Sequence, residues 1–228
     1  MVPAKRVALL GDAFVDVQVA GVTALPVYGT DVSCSSVRLL PGGSCGNTAR
    51  QLGSLGSGQL DVSFFSCIGG DEVGQHYLHA LEAEGILCDL RSTLCVIDGA
   101  AQSSCVVLSG PSDRAMCSCY ETVHRVKVEL FTGALFSEPP WALLHIGGYF
   151  NCIGLHTDEM VRVTSSLRAR GTLISMVSPH PHPHPEGLGQ STSMRMRMIR
   201  RDVPAHGVGP RARACPQCAR PPSPLRLR

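Results

Sequence analysis

The sequence has few aromatic residues and no apolar run long enough to cross a membrane. Aromatic side chains make up 5% of the 228 residues, and no stretch of about 18 or more apolar residues occurs. The N-terminal residues lead directly into a strand-like run, without the apolar segment and small-residue cleavage site of a secretory signal. These absences disfavour a membrane-spanning or secreted protein, so we expect a cytoplasmic location.

Cysteine, by contrast, is plentiful, but its distribution does not fit a disulfide framework. The chain has 11 cysteines, an odd number, and most of them lie within strand-like or helix-like apolar runs rather than at the even spacings of a small secreted protein. We therefore predict reduced thiols that pack as small hydrophobic side chains in a cytosolic protein.

Composition and charge change abruptly near residue 176. Residues 1–176 have a net charge of −5, whereas residues 177–228 have a net charge of +7, 10 of the 16 prolines and no aromatic side chain. Such a segment buries too little apolar surface to offset the entropy of ordering its backbone, which costs about 1–2 kcal/mol per residue. The prediction is a folded region, residues 1–176, followed by a disordered Pro/Arg-rich tail, residues 177–228.

Apolar strand-like runs alternate with amphipathic helical segments along the folded region. Such alternation is typical of an α/β fold with a mainly parallel sheet. Short strands in two regions, 17–40 and 94–120, do not fit simple alternation and indicate a small β-sheet appended to the main layer. The predicted strands are 6–11, 62–68, 94–97, 104–108, 115–120, 142–147 and 172–177, and the predicted helices are 47–56, 73–85 and 158–170.

An acidic pair follows the first predicted strand, in the motif GDAFVD that contains Asp12 and Asp16. Ligands of open parallel sheets bind at the carboxyl ends of the strands. A carboxylate there can accept hydrogen bonds from two neighbouring hydroxyl groups, as polyol recognition requires. The alternative is a solvated turn in which an aspartate caps a helix.

A glycine-rich loop, PGGSCGN, contains Gly42, Gly43 and Asn47 and leads into a predicted helix. Adjacent glycines allow the backbone to approach a ligand closely, and the amide of Asn47 could contact a hydroxyl group. The alternative is a Gly-Gly turn with Asn47 as an ordinary helix N-cap.

A third glycine-rich motif, GGDEVG at residues 69–74, lies between a strand and a helix. A dinucleotide-binding fingerprint would need G-x-G-x-x-G directly after the first strand. The first strand ends in a single glycine, so the nicotinamide-binding interpretation is rejected.

These motifs, in this order, resemble the ribokinase-like (PfkB-type) family of sugar and nucleoside kinases. The resemblance covers about residues 5–176 and rests on GDAFVD, on PGGSCGNTARQLGSLG (41–56), on CIGGDEVGQHYLHALEAEGI (67–86) and on LLHIGGYF (143–150). It implies a three-layer α/β/α domain with a small β lid. It also implies an ATP- and Mg²⁺-dependent kinase of a small sugar or nucleoside.

By that resemblance Asp16, Gly42, Gly43 and Asn47 contact the hydroxyl groups of the substrate. Asp12 lies nearby, and for it a capping role is an equal alternative. The resemblance assigns no catalytic and no metal-binding residue to this chain.

The resemblance ends after residue 176, where the family would continue with an N-x-x-E segment and the signature D-T-x-G-A-G-D. These elements would bind ATP and supply the general base, so we expect the chain as given to be catalytically inactive. A frameshift, a retained intron or a faulty gene prediction would each produce such a break. The alternative functions are a non-catalytic sugar-binding protein and a nucleic-acid-associated protein that acts through the basic tail.

Two features of the tail suggest metal binding, but neither is complete. Cys215 and Cys218 have half of a zinc-knuckle spacing, and the alternating His-Pro segment 180–185 would fan its histidines around a polyproline axis. The tail arginines would bind nucleic acid without sequence preference. The missing units would leave apolar faces uncovered, so we also expect self-association.

Overall fold

The computed structural model describes residues 4–56, 58–84, 93–181 and 192–198. They form two β-sheets, of six and four strands, with helices against the larger sheet. None of the helices in these ranges is long and apolar enough to span a membrane. The strands are β1 (Lys5–Gly11), β2 (Phe14–Ala20), β3 (Ser36–Gly42), β4 (Leu60–Gly69), β5 (Leu94–Ile97), β6 (Ser104–Ser109), β7 (Arg114–Cys119), β8 (Leu143–Gly147), β9 (Leu173–Pro181) and β10 (Thr192–Met198).

The larger sheet has the strand order β10-β9-β8-β1-β4-β5. All neighbouring strands pair in parallel except β10, which runs antiparallel to β9. The two strands at its centre are nearly continuous apolar runs, because both faces of a parallel sheet are covered by helices. This arrangement confirms the predicted α/β fold.

The smaller sheet has the order β3-β2-β6-β7. Strand β2 pairs antiparallel with β3 and parallel with β6, and β6 pairs antiparallel with β7. Because β2 follows β1 after a two-residue turn, this sheet begins at the carboxyl edge of the larger one. It is the appended sheet that the short strand-like segments predicted.

Helices cover both faces of the larger sheet and bury two apolar cores. The helices are α1 (Ser44–Leu55), α2 (Glu72–Ala83), α3 (Thr132–Leu135) and α4 (Asp158–Ala169), with short 3-10 turns at Val123–Arg125, Val128–Phe131 and Ile153–Leu155. One core contains Cys45 and Ala49 of α1 and Tyr77, Leu78 and Leu81 of α2. The other core contains Met160, Val163 and Leu167 of α4, together with Phe131 and Trp141.

The helical elements differ from the sequence-based prediction in two respects. Helix α1 begins at Ser44, three residues before the predicted start, because S-C-G offers no apolar periodicity to mark the first turn. The helical turns between 123 and 135 were not predicted, since each is too short for a helical repeat to show.

The predicted boundary at residue 176 lies inside a strand. Strand β9 continues to Pro181, and Thr192–Met198 pairs with it in register, Met198 opposite Ser175. These two segments therefore add strand pairing beyond the predicted boundary, and the disorder of the tail as a whole stays a prediction. The alternation Met-Arg-Met-Arg-Met at 194–198 is a strand pattern that the overall composition of the tail obscured. The rest of the predicted tail, 182–191 and 199–228, lies outside the described residues.

Asp71 of the GGDEVG motif joins α2 to the smaller sheet. Its carboxylate accepts hydrogen bonds from the backbone N–H of Gly74 in α2, at 2.8 Å, and from that of Gln102, at 3.0 Å. The buried Gln102 side chain in turn accepts from the Gly69 N–H at 2.9 Å and donates to the Ala13 carbonyl at 3.0 Å. In this structure the motif is therefore a helix cap that fixes the turn between β1 and β2.

We expect Asp71→Ala to lower the free energy of unfolding by about 2 kcal/mol or more, because a charged cap and a second main-chain donor lose their acceptor. Urea denaturation of the full chain measures this. Asp61→Ala is the control, since Asp61 is half exposed and pairs with Arg6 only at 3.5 Å, which is worth about 0–1 kcal/mol. Equal losses for the two variants would contradict the assignment.

Candidate substrate site

The candidate site lies where α1 begins against the turn between β1 and β2. The backbone N–H of Gly46, in the first turn of α1, donates to the Asp12 carbonyl at 3.2 Å. Because β1 and β8 end side by side, with Gly11 opposite Gly147, this contact holds α1 at the carboxyl edge of the larger sheet.

Asp12 is buried, with 2% of its surface exposed. Its carboxylate accepts hydrogen bonds from the Cys45 N–H at 2.7 Å and from the side-chain amide of Asn151 at 3.2 Å. The carboxylate therefore caps the first turn of α1, as the alternative interpretation proposed. Asn151, after β8, was not predicted, because no motif connects it with Asp12.

Asp16 differs from Asp12 in having no hydrogen-bond donor among the described residues. It lies half-buried on β2. Burial raises the pKa of its carboxyl group and the nearby Asp12 carboxylate raises it further, whereas the guanidinium groups of Arg114 and Arg50 oppose the shift. A half-buried carboxylate without donors favours a ligand that supplies them.

Gly42 lies directly against the Asp16 carboxylate. A Cβ atom at Gly42 would lie 2.5 Å from Cγ and from Oδ2 of Asp16. The carbonyl of Gly42 accepts a 3.3 Å hydrogen bond from the hydroxyl of Tyr77, a fully buried residue of α2. The absent side chain at Gly42 is what leaves room for the carboxylate.

Gly43 is the N-cap of α1 and has a positive φ of 90°. A Cβ atom there would lie 2.7 Å from the carbonyl oxygen of Asp12, a main-chain atom. Glycine is therefore required by both the backbone conformation and the close approach of the β1–β2 turn. Gly42 ends β3 and Gly43 caps α1, so the Gly-Gly pair connects a strand to a helix beside Asp12 and Asp16.

Asn47 lies within α1 and its side chain is exposed. Its backbone N–H donates to the Gly43 carbonyl at 2.8 Å, so the alternative role of Asn47 as the N-cap is wrong. Its side-chain oxygen accepts from Nη1 of Arg50 at 3.0 Å. The amide NH₂ group is then the part of Asn47 that can contact a ligand.

Arg50 is a residue of this site that the sequence did not predict. The same Nη1 atom donates to the carbonyl of Pro41, just before the Gly-Gly pair, at 2.9 Å. The other atoms of the guanidinium group bind Glu84 at the end of α2, with Nε–Oε2 at 2.6 Å and Nη2–Oε1 at 2.5 Å. From the sequence alone, an arginine one turn after Asn47 looks like an ordinary solvent-exposed helix residue, so no motif identified Arg50 as part of the site.

Aromatic side chains follow β8 close to Asn151. The rings of Tyr149 and His156 lie 4.4 Å apart, and Nε2 of His156 lies 2.9 Å from the Tyr149 carbonyl. Phe150 packs edge-on against Tyr149 and is 51% exposed. This segment adds an apolar, partly open surface beside the Asp12 cap.

The buried thiols near the site are protonated at neutral pH. Burial raises the pKa of Cys45 and of Cys152, and the Asp12 carboxylate raises both further. Burial, with the neighbouring thiol of Cys95, raises the pKa of Cys67 to about 12. Since the thiolate is the reactive form, these cysteines are not nucleophiles.

Comparison with known proteins is consistent with this geometry. The sequence model described as pfkB family carbohydrate kinase matches residues 4–179. The match covers most of the chain, and the chain belongs to the pfkB family of carbohydrate kinases. A search of curated proteins found no match.

Solved structures with the same fold include three kinases. Ribokinase from Giardia lamblia is 16% identical with a TM-score of 0.61, and the aligned region covers 75% of this chain and 54% of that ribokinase. A candidate ribokinase II of E. coli, in complex with ATP and Mg²⁺, is 19% identical with a TM-score of 0.55, with coverages of 76% and 52%. Arabidopsis thaliana ribokinase, complexed with ribose and ATP, is 16% identical with a TM-score of 0.54, with coverages of 76% and 53%.

These likenesses confirm the predicted ribokinase-like three-layer fold. They also show that the chain spans about half the length of the solved structures it matches.

Gly43→Ala should destabilise the chain more than Gly42→Ala. Gly43→Ala should lower the free energy of unfolding by about 1–3 kcal/mol, because an alanine there is strained and meets main-chain atoms. Gly42→Ala should cost less, because its Cβ meets a side-chain carboxylate that can rotate away. Denaturant melts of both variants measure this. Equal destabilisation would contradict the described loop geometry.

Proposed function

We propose that this chain binds a small sugar or nucleoside through Asp16, Gly42, Gly43 and Asn47. We further propose that it is the substrate-binding part of an ATP-dependent carbohydrate kinase. The proposal rests on the Asp16 carboxylate. It is half-buried, accepts no hydrogen bond from the described residues and lies against Gly42.

The polarity of the site fits neighbouring hydroxyl groups. The Asp16 carboxylate can only accept hydrogen bonds when ionised, whereas the Asn47 amide offers NH₂ donors because its oxygen binds Arg50. A hydroxyl group can donate to one and accept from the other. The space that Gly42 leaves beside Asp16 allows a ring substituent to approach the backbone.

The relatives support the substrate class and the phosphoryl donor. Arabidopsis ribokinase was solved with ribose and ATP, and the E. coli protein with ATP and Mg²⁺. By family membership we propose that ATP and Mg²⁺ are the co-substrate and the metal of the whole enzyme.

The described residues do not fit the metal–nucleotide part of this chemistry. They contain no cluster of three or more His, Cys, Asp or Glu side chains that could hold a metal, and D-T-x-G-A-G-D does not occur in the sequence. Phosphoryl transfer needs a base near the acceptor hydroxyl and cations around the developing charge. We therefore assign substrate binding to these residues and no catalytic step.

The cysteines support our further proposal of a cytoplasmic location. The described cysteines are all free thiols, and several are buried, as is usual in reducing compartments. Self-association through apolar faces and the absence of specific nucleic-acid binding remain predictions.

Asp16→Ala should weaken sugar binding by about 1.5–3 kcal/mol, or roughly 10- to 150-fold, because hydrogen bonds to a charged acceptor are lost. Asn47→Ala should cost less. Isothermal titration of the full chain with ribose, fructose and adenosine measures both. Asp31→Ala, at an exposed loop carboxylate, is the control, and an unchanged dissociation constant for Asp16→Ala would remove that residue from the site.

The same titration across pH tests the ionisation of Asp16. In the free protein the pKa of Asp16 is raised by burial and Asp12, against Arg114 and Arg50. Hydrogen bonds from ligand hydroxyls stabilise the ionised form, so the pKa is lower in the complex. Affinity should therefore be highest above the raised pKa and fall as the pH drops through it. Asp16→Asn should be weaker and nearly independent of pH over that range.

We predict no ATP-dependent phosphorylation of ribose, fructose or adenosine by the purified 228-residue chain. Joining a C-terminal half from a pfkB relative after residue 176 should restore turnover, because the anion-binding turn and the base then face Asp16. A coupled ADP-release assay measures both proteins. Turnover by the unmodified chain that Asp16→Ala abolishes would show a catalytic apparatus within it.

A further inference from the structure

We propose that Arg50 is a positioning residue that fixes the orientation of the Asn47 amide. The site then presents a hydrogen-bond donor beside the Asp16 acceptor. The consequence for substrate recognition rests on the proposed function, whereas the orientation of Asn47 does not.

The geometry places one atom of Arg50 between two parts of the loop. Nη1 donates to Oδ1 of Asn47 at 3.0 Å and to the Pro41 carbonyl at 2.9 Å. Asn47 lies one helical turn before Arg50 in α1, and Pro41 directly precedes Gly42. The guanidinium group therefore connects the two ends of the Gly-Gly loop.

Glu84 holds the rest of the guanidinium group in place. Nε and Nη2 both bind its carboxylate, at 2.6 and 2.5 Å, in the bidentate arrangement that fixes orientation as well as distance. Glu84 is the C-cap residue of α2, so the position of Arg50 is set by a second helix. A lysine could supply the charge but not this planar set of donors.

The chemistry of the guanidinium group determines which way the amide faces. Arginine only donates hydrogen bonds, so the oxygen of Asn47 must point toward Arg50 and the NH₂ group away from it. Without Arg50 the amide could rotate and offer its oxygen instead. Two acceptors, Asp16 and Asn47, would then compete for the single proton of a hydroxyl group that lies between them.

The composition makes the orientation directly measurable. The chain contains two asparagines, Asn47 and Asn151, so selective ¹⁵N-asparagine labelling gives two side-chain amide groups in an NMR spectrum, and Asn47→Ala assigns them. In the wild-type chain both should be rigid by ¹⁵N relaxation. Arg50→Met should make the Asn47 amide mobile and leave Asn151, which donates to Asp12, unchanged.

Arg170→Met is the matched control. Arg170 also binds a main-chain carbonyl, that of Phe136 at 3.0 Å, and a glutamate, Glu138, but it lies at the end of α4. It should leave the Asn47 amide rigid. A mobile Asn47 amide in the wild-type chain, or a rigid one in Arg50→Met, would overturn the proposal.

Ribose titration tests the consequence for recognition. The titration is done at a pH where Asp16 stays ionised without Arg50, because the Arg50 charge also lowers the pKa of Asp16. Under that condition Arg50→Met should weaken binding about 2- to 12-fold, the range for a neutral hydrogen bond, and should have no further effect in the Asn47→Ala background. A merely structural role would instead add its effect to that of Asn47→Ala, which would overturn the proposal. If the wild-type chain binds no sugar while Asn47 is ordered through Arg50, the proposed function fails and the positioning role of Arg50 is supported.

Discussion

The buried Asp12 carboxylate is the interaction on which the candidate site depends. It accepts from the first turn of α1 and from Asn151 after β8, while the Asp12 carbonyl accepts from Gly46. A carboxylate at a helix N-terminus is stabilised by the main-chain dipoles, by about 0.3–1 kcal/mol at exposed positions and more when partly buried. This one side chain therefore holds together three segments that are far apart in sequence, and Gly43 lies against the main-chain carbonyl of the same residue.

Two aspartates four residues apart thus have opposite surroundings. Asp12 accepts hydrogen bonds from donors within the protein, whereas Asp16 has no donor among the described residues. The nearby Asp12 carboxylate raises the pKa of Asp16, and the guanidinium groups of Arg114 and Arg50 lower it. Arg50 affects both ligand-facing residues, since it lowers the pKa of Asp16 and binds the oxygen of Asn47. The result is a small polar site in which the acceptor, Asp16, lies on β2 and the donor, the Asn47 amide, lies on α1. Arg50 and Glu84 hold the donor in place.

The extent of the family match bears on the proposed division between substrate binding and catalysis. The family match ends at residue 179, within β9, and the chain spans about half of the solved kinases of this fold. Asp16 lies on β2 and Gly42 ends β3, and these are the first two strands of the smaller sheet. Under the proposed function these residues bind the substrate, and the phosphate-binding turn is expected from units that follow β9 in the family.

Local sequence patterns were sufficient to predict the α/β class, the appended sheet, most strand and helix positions and the motifs around Asp16 and Asn47. Each of these depends on local periodicity or on glycine and polar residues in a short motif, which sequence displays directly. The start of α1, the hydrogen bonds that Asp12 accepts, and the positions of Asn151 and Gln102 became visible only in the tertiary structure. So did the pairing of Arg50 with Glu84, since these contacts join residues 34 positions apart. A periodic sequence pattern does not predict the contact between Arg50 and Glu84, because that contact forms only when α1 and α2 pack on the same sheet.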